Sequence, residues 1–136
     1  MSKQINSRQK GARGERYVAK MLTRLGYPAT RAARIGVKGG EDISCPSLFG
    51  IVHFECKFTE TIGLGTKELA NAMAQAKEAA PKGVPDVCVI WKRNRGPICL
   101  TYRVHDANAC PTIAGEEDIK EWIDVSYRAA TSKKGA

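Results

Sequence analysis

Histidine, aromatic residues and, over its first half, acidic residues are scarce in this chain, and each scarcity excludes something. His53 and His105 are the only histidines, too few for a histidine-built metal centre. The cysteines, Cys45, Cys56, Cys88, Cys99 and Cys110, are odd in number and include no Cys-x-x-Cys pair. That argues against both a zinc knuckle and a disulfide framework, and leaves buried reduced thiols as the expectation. No apolar run approaches the roughly 20 residues of a membrane span, and the polar start Met1-Ser2-Lys3-Gln4 is unlike a signal peptide. A soluble, cytoplasmic protein without a membrane partner is therefore expected. With 136 residues and no internal repeat, the chain predicts a single domain over 1–130 and a disordered tail over 131–136.

The shortage of acid is local. Residues 1–57 hold 11 Lys and Arg against 4 Asp and Glu, whereas residues 58–136 hold 11 against 10, so the net charge of +8 sits almost wholly in the first half. A surface that is only solubilising mixes both signs. Arg8, Lys10, Arg13, Arg16, Arg31, Arg34 and Lys38 instead predict an electrostatic footprint for nucleic acid. Aromatics make up only 7% of the chain, with Tyr17 and Tyr27 alone interleaved among these cations. That disfavours a module that binds single strands by stacking bases on a row of rings.

Within this basic half lies the most informative spacing, Asp42 followed by Glu55-Cys56-Lys57. Strand side chains alternate faces, so Glu55 and Lys57 share one face while Val52, Phe54, Cys56 and Phe58 form a wholly apolar one. Two carboxylates are oxygen ligands for a hard divalent cation, and an ammonium beside them suits hydrolysis of a phosphodiester. Taken alone, Glu-x-Lys is equally what a solvated same-face pair looks like. His53 shares the Glu55 face, either bordering this site or satisfied structurally.

Glu15 adds weight. The stretch after Asn6-Ser7 predicts a helix capped by one of those residues and closed by Gly26 before Pro28, with Val18, Met21, Leu22 and Leu25 on its apolar stripe. Glu15 recurs on that stripe, where a carboxylate needs a cation, a hydrogen-bond partner or a cleft; the alternative is an exposed place in the first turn. Further along, Tyr27–Arg31 predicts a short strand, Ala33–Gly40 a basic loop, and Asp42-Ile43 a strand forming an antiparallel hairpin with 51–58 through the Pro46–Gly50 turn. Thr66 is expected to cap a helix running to about Ala80, stopped by Pro81, on which Gln75 lies off the packing stripe. Strands over 87–91 and 98–104 and a short helix around Ile119, Trp122 and Ile123 complete the order. Helix, three strands, helix, two strands, helix predicts an α/β fold, a mixed sheet of about five strands with helices on both faces.

Lys10-Gly11-Ala12-Arg13-Gly14-Glu15-Arg16, Asp42-Ile43 and Phe54-Glu55-Cys56-Lys57 together resemble the PD-(D/E)XK nucleases and their restriction-endonuclease-like core. Among these the chain is most similar to the archaeal-type Holliday junction resolvases, including phage-encoded versions. Glu41 stands where many relatives have the proline of the motif's name. The resemblance implies that Asp42 and Glu55, with the Cys56 carbonyl, hold Mg²⁺ or Mn²⁺, and that Glu15 binds or positions a second cation. It further implies that Lys57 orients the attacking water, that Gln75 assists, and that Arg16 and Arg31 contact DNA phosphates. The expected function is a homodimeric endonuclease that makes paired, symmetric cuts in four-way DNA junctions, with no cofactor beyond metal. A phage-encoded copy would work in the host cytoplasm. A related nuclease acting on flaps, ends or duplex, and a noncatalytic nucleic-acid-binding domain, are the alternatives.

Overall fold

A computed structural model describes residues 3–31, 43–104 and 109–135, with residues 3–10 and 133–135 by backbone alone. Helix α1 covers Lys3–Arg24, strand β1 Thr30–Arg31 and β2 Ile43–Ser44; a 3-10 turn at Pro46–Leu48 leads to β3, Val52–Thr59. Helix α2 covers Lys67–Ala79, followed by β4, Asp86–Arg93, β5, Ile98–Tyr102, β6, Thr112–Ala114, and α3, Glu116–Gly135.

Four strands form a mixed sheet in the order β3-β4-β5-β6. β3 and β4 run parallel, joined by α2, and the pairs β4-β5 and β5-β6 are antiparallel. Every residue from Val87 to Trp91 is buried, as befits a strand covered on both faces. One core lies under α1 and α3, where Val18, Met21, Leu22, Ile119 and Ile123 meet Phe54, Cys88, Ile90 and Leu100. The other lies under α2, where Leu69, Met73 and Ala76 meet Val87, Val89 and Trp91. The result is the expected mixed α/β layering with helices on both faces.

Several sequence expectations need correction. The hairpin between the Asp42-Ile43 strand and β3 is not formed among the described residues. β2 pairs instead with β1, Thr30 opposite Ser44 and Arg31 opposite Ile43, so a two-stranded ribbon and a four-stranded sheet replace one five-stranded sheet. The reason is the 3-10 turn, in which Leu48 is buried and Ile51 N–H donates to its carbonyl at 2.9 Å; this consumes the chain that a hairpin loop would have needed. α1 begins at Lys3, so Asn6 and Ser7 lie inside it rather than capping it. No proline or glycine separates Lys3 from that stretch, and nothing there ends a helix. α3 is longer than expected and runs through 131–135, the presumed disordered tail. Thr131 donates its hydroxyl to the Tyr127 carbonyl at 2.8 Å, and Ala130 packs on the core. Trp91 and Trp122 serve packing. The Trp91 indole N–H donates to Thr101 at 2.8 Å, and the Trp122 ring lies 5.3 Å from that of Tyr102.

Two glycines fix how α1 enters and leaves its place. At Gly26, φ is +103° and Tyr27 N–H reaches back to the Leu22 carbonyl at 2.8 Å, the left-handed stop foreseen from the sequence. At Gly14 an added Cβ would lie 2.8 Å from Phe58 Cγ. Absence of a side chain there lets α1 settle onto β3.

Candidate active site

Alternation along β3 sorts its side chains as the sequence predicts. Phe54, Cys56 and Phe58 join the core beneath α1 and α3, which leaves His53, Glu55 and Lys57 for the face covered by α2. β3 is the outermost strand of the four-stranded sheet, so the polar face borders an edge instead of a continuous apolar layer.

His53 is fully buried, and its Nε2 lies 2.8 Å from Glu55 Oε2. An ionised carboxylate can only accept, so the ring carries its hydrogen on Nε2. This bond holds one carboxylate oxygen in place and leaves Oε1 unengaged by His53. The Glu55 side chain is 17% exposed and Lys57 is exposed. Both polar groups therefore remain accessible while their strand neighbours anchor them.

Thr66 caps α2, its hydroxyl accepting from Leu69 N–H at 3.3 Å. This places Glu68 in the first turn, where it accepts a hydrogen bond from the Thr61 hydroxyl. That bond outweighs the opposing effect of burial and, aided to a lesser degree by a bond from Thr59 and the field of the Lys57 ammonium, holds the Glu68 carboxyl below its ordinary 4.5. Gln75, seven residues on, returns to the same side of α2 as Glu68 and is exposed. Neither the His53 contact nor the involvement of Glu68 was read from the sequence. His53 was noted as a face-mate of Glu55, and the Thr-x-Glu68 first turn was visible only as a cap.

Glu15 finds the cation that its place on the apolar stripe demanded. Arg31 Nε lies 2.6 Å from its Oε1, with the Glu15 side chain only 15% exposed and that of Arg31 48%. Arg31 is in register with Ile43, so this pair ties α1 to the ribbon one residue from Asp42. Asp42 itself lies outside the described residues, as do Arg34 and Lys38 and the side chains of Arg8 and Lys10. Arg13 and Arg16 are exposed on α1. Among the described residues no three His, Cys, Asp or Glu side chains converge as a metal-binding group, and no helix is long and apolar enough to cross a membrane.

Glu55 and Lys57 share one face of an edge strand, and Glu15 and Arg31 tie α1 to the ribbon carrying Ile43. No curated protein matches the chain. A family model described as phage putative PDDEXK endonuclease matches residues 6–134, nearly the whole length, and the chain belongs to that family of PD-(D/E)XK nucleases.

Proposed function

We propose that this nuclease is a structure-selective DNA endonuclease that resolves four-way junctions by paired, symmetric cuts, acting as a homodimer whose two sites address opposing strands. Family membership supplies the coarser part, nuclease chemistry on DNA, generally with a divalent metal. The finer part rests on the resemblance of the α1, Asp42 and Glu55-Cys56-Lys57 motifs to junction resolvases. One observation carries the site assignment: Glu55 and Lys57 share the accessible face of an edge strand, and His53 fixes one Glu55 oxygen.

The donors present fit a hard divalent ion. Glu55 offers a partly exposed carboxylate oxygen not engaged by His53, and oxygen donors of this kind suit Mg²⁺ or Mn²⁺ better than softer metals. Asp42, Glu55 and the Cys56 carbonyl would hold the ion, which when bound supplies Lewis acidity and a more acidic water. Cys56 would act through its backbone, since its side chain packs on the opposite core. His53 would keep the Glu55 carboxylate from rotating away. Lys57 would orient the attacking water and offset charge growing on the phosphoryl oxygens. Gln75, on the α2 side that also carries Glu68, would contact the scissile strand. Glu15 would bind or position a second cation, and its ion pair with Arg31 steadies the ribbon leading to Asp42. Arg13, Arg16 and Arg31 would hold backbone phosphates, joined by Arg8, Lys10, Arg34 and Lys38.

The test is a Mg²⁺-dependent cleavage assay on a four-way junction, a flap, a linear duplex and a single strand, with Glu55→Gln as control. Paired nicks in the junction, lost in the control, are expected. Equal cutting of linear duplex would overturn junction selectivity and leave the nuclease site standing.

A further inference from the structure

A cleft ringed by basic side chains lies on the face of β3 opposite Glu55. The carboxyl ends of β3 and β4 and the middle of α1 enclose a cleft of about 470 Å³, within the range of small-ligand sites. Arg13, Arg16 and Lys20 enter from α1, three and four residues apart and so on one helix face. Lys92 and Arg93 enter from β4, with Lys92 in register with Phe58. Among the described residues no carboxylate lines the cleft and none of the five cations forms an ion pair; Arg93 Nε donates to the Glu60 carbonyl at 3.3 Å.

Five cations around one cavity call for a polyanion, and the remaining walls say which kind. Tyr17 rests on Phe58 with ring centroids 5.5 Å apart, yet keeps 38% of its surface exposed. Thr59 and Asn94 add a hydroxyl and an amide at the rim. Cations beside an accessible aromatic ring suit a nucleotide, whose phosphate needs charge and whose base needs a face to stack on. A paired duplex keeps its bases inside and its phosphates outside, so it can lay only backbone across the opening. A second hollow adjoins the first, sharing Arg16 and Lys20 and continuing towards Thr23 and Arg24, the latter paired with Glu116. The hollow extends the track by about one helical turn, or roughly 6 Å, enough for the backbone next to the seated nucleotide.

We propose that this cleft binds an unpaired nucleotide of a DNA strand freed at a branch point, with its base against Tyr17 and Phe58 and its phosphate on the surrounding cations. The inference rests on the DNA-nuclease reading and deepens it by naming the feature of branched DNA that is recognised. The low aromatic content of the chain disfavours a row of stacking rings; one well-placed ring among cations suffices for a single base.

The experiment measures fluorescence anisotropy of the full chain without divalent metal. The probes are a blunt duplex and the same duplex with a short unpaired thymidine tail, over a range of salt. The tailed probe is expected to bind more tightly. Tyr17→Leu, which keeps an apolar side chain on Phe58, should reduce the ratio of the two affinities about tenfold, and Lys92→Gln should lower the salt slope by about one. An unchanged ratio in Tyr17→Leu would overturn the cleft while leaving the Glu55 site untouched; failure to bind either probe would overturn both. Photocrosslinking of the unsubstituted chain to a tail carrying 5-iododeoxyuridine gives a check independent of any variant's folding. Capture at Tyr17 or Phe58 is expected, and capture confined to other residues would refute the assignment.

Discussion

Gly11 and Gly14 lie three residues apart in α1, and the same substitution at each should move stability in opposite directions. At Gly11 an added Cβ meets nothing within 4 Å, so Gly11→Ala gains the helix propensity of alanine, about 1 kcal/mol. At Gly14 it would lie 2.8 Å from Phe58 Cγ, 3.0 Å from Cδ1 and 3.1 Å from Cβ, well inside the ~3.5–4.0 Å of favourable carbon contacts. The atoms met belong to the root of the ring, which cannot swing aside. α1 must therefore lift from β3 by about 0.5–1 Å, an overpacking cost of roughly 1–3 kcal/mol that outweighs the same propensity gain. The two variants should differ by about 1–3 kcal/mol. At roughly 3–5 °C per kcal/mol for a chain of this size, that separates their melting temperatures by about 3–15 °C. Thermal unfolding followed by circular dichroism, with urea midpoints as a second reading, measures the difference. Equal stabilisation by both substitutions would refute the close docking of α1 on Phe58. A lifted α1 also moves Glu15, the next residue, so cleavage should decline in Gly14→Ala even below its melting range.

Lys57→Ala should abolish cleavage while junction binding in the absence of metal persists, and retained turnover would refute the role given to Lys57. Removing the partner of Glu15 with Arg31→Met should lower stability by about 1 kcal/mol, because the pair is only partly exposed; a double-mutant cycle with Glu15→Gln that shows no coupling would remove the tether. Acid should destabilise the fold through two carboxyls held below their ordinary values. Glu68 is held chiefly by the Thr61 hydroxyl, and Asp124 by the Lys120 ammonium and then the Tyr27 hydroxyl. The unfolded chain binds these protons more readily, so their stabilisation is present above the ordinary 4.5 and 3.8 and is lost as pH falls through the lower folded values. Glu68→Gln and Asp124→Asn together should flatten that acid limb in pH-dependent melting. Tyr27 works in the opposite sense: burial, then its bond to Asp124, raise its pKa, so its contribution is present below pH 10.0 and disappears in stronger base.

Local periodicity made part of this molecule legible. The apolar alternation of 52–58, the Thr66 cap and the Gly26 stop are each decided within a few residues, and each appears in the structure where expected. Glu15 was legible as a carboxylate in need of a cation, since its position on the α1 stripe follows from helical spacing alone; that Arg31 would supply it was not. The pairing partner of β2 was misread because the Pro46–Gly50 stretch resembles a hairpin turn. Its actual course depends on burying Leu48 beneath α1 and α3, a tertiary contact. β6 was missed because three residues carry too little pattern. Lys20, Lys92 and Arg93 went unassigned because the fold, not the local sequence, brings them together. Lys92 reaches α1 only through the parallel register of β3 with β4, and no local signal in the sequence encodes that register.

The alternation that orders β3 also constrains how DNA can use it. Lys57 and Phe58 are neighbours in sequence and point to opposite faces of the sheet, Lys57 towards the candidate catalytic side and Phe58 into the basic cleft. Successive nucleotides on one strand of a stacked duplex advance only ~3.4 Å. Side chains on opposite faces of a strand, each extending several ångströms from the backbone, are separated by considerably more. A nucleotide held against Tyr17 and a phosphate at Glu55 are therefore not adjacent positions of an undistorted helix. Parting of the strands around β3, an edge strand of the sheet among the described residues, would let both be occupied at once. An intact duplex would have to unstack, at a cost of a few kcal/mol, to satisfy both faces, whereas a branch point arrives already parted. If both sites act as proposed, selectivity for branched DNA would follow from the parity of one strand, without a single base being read in a groove.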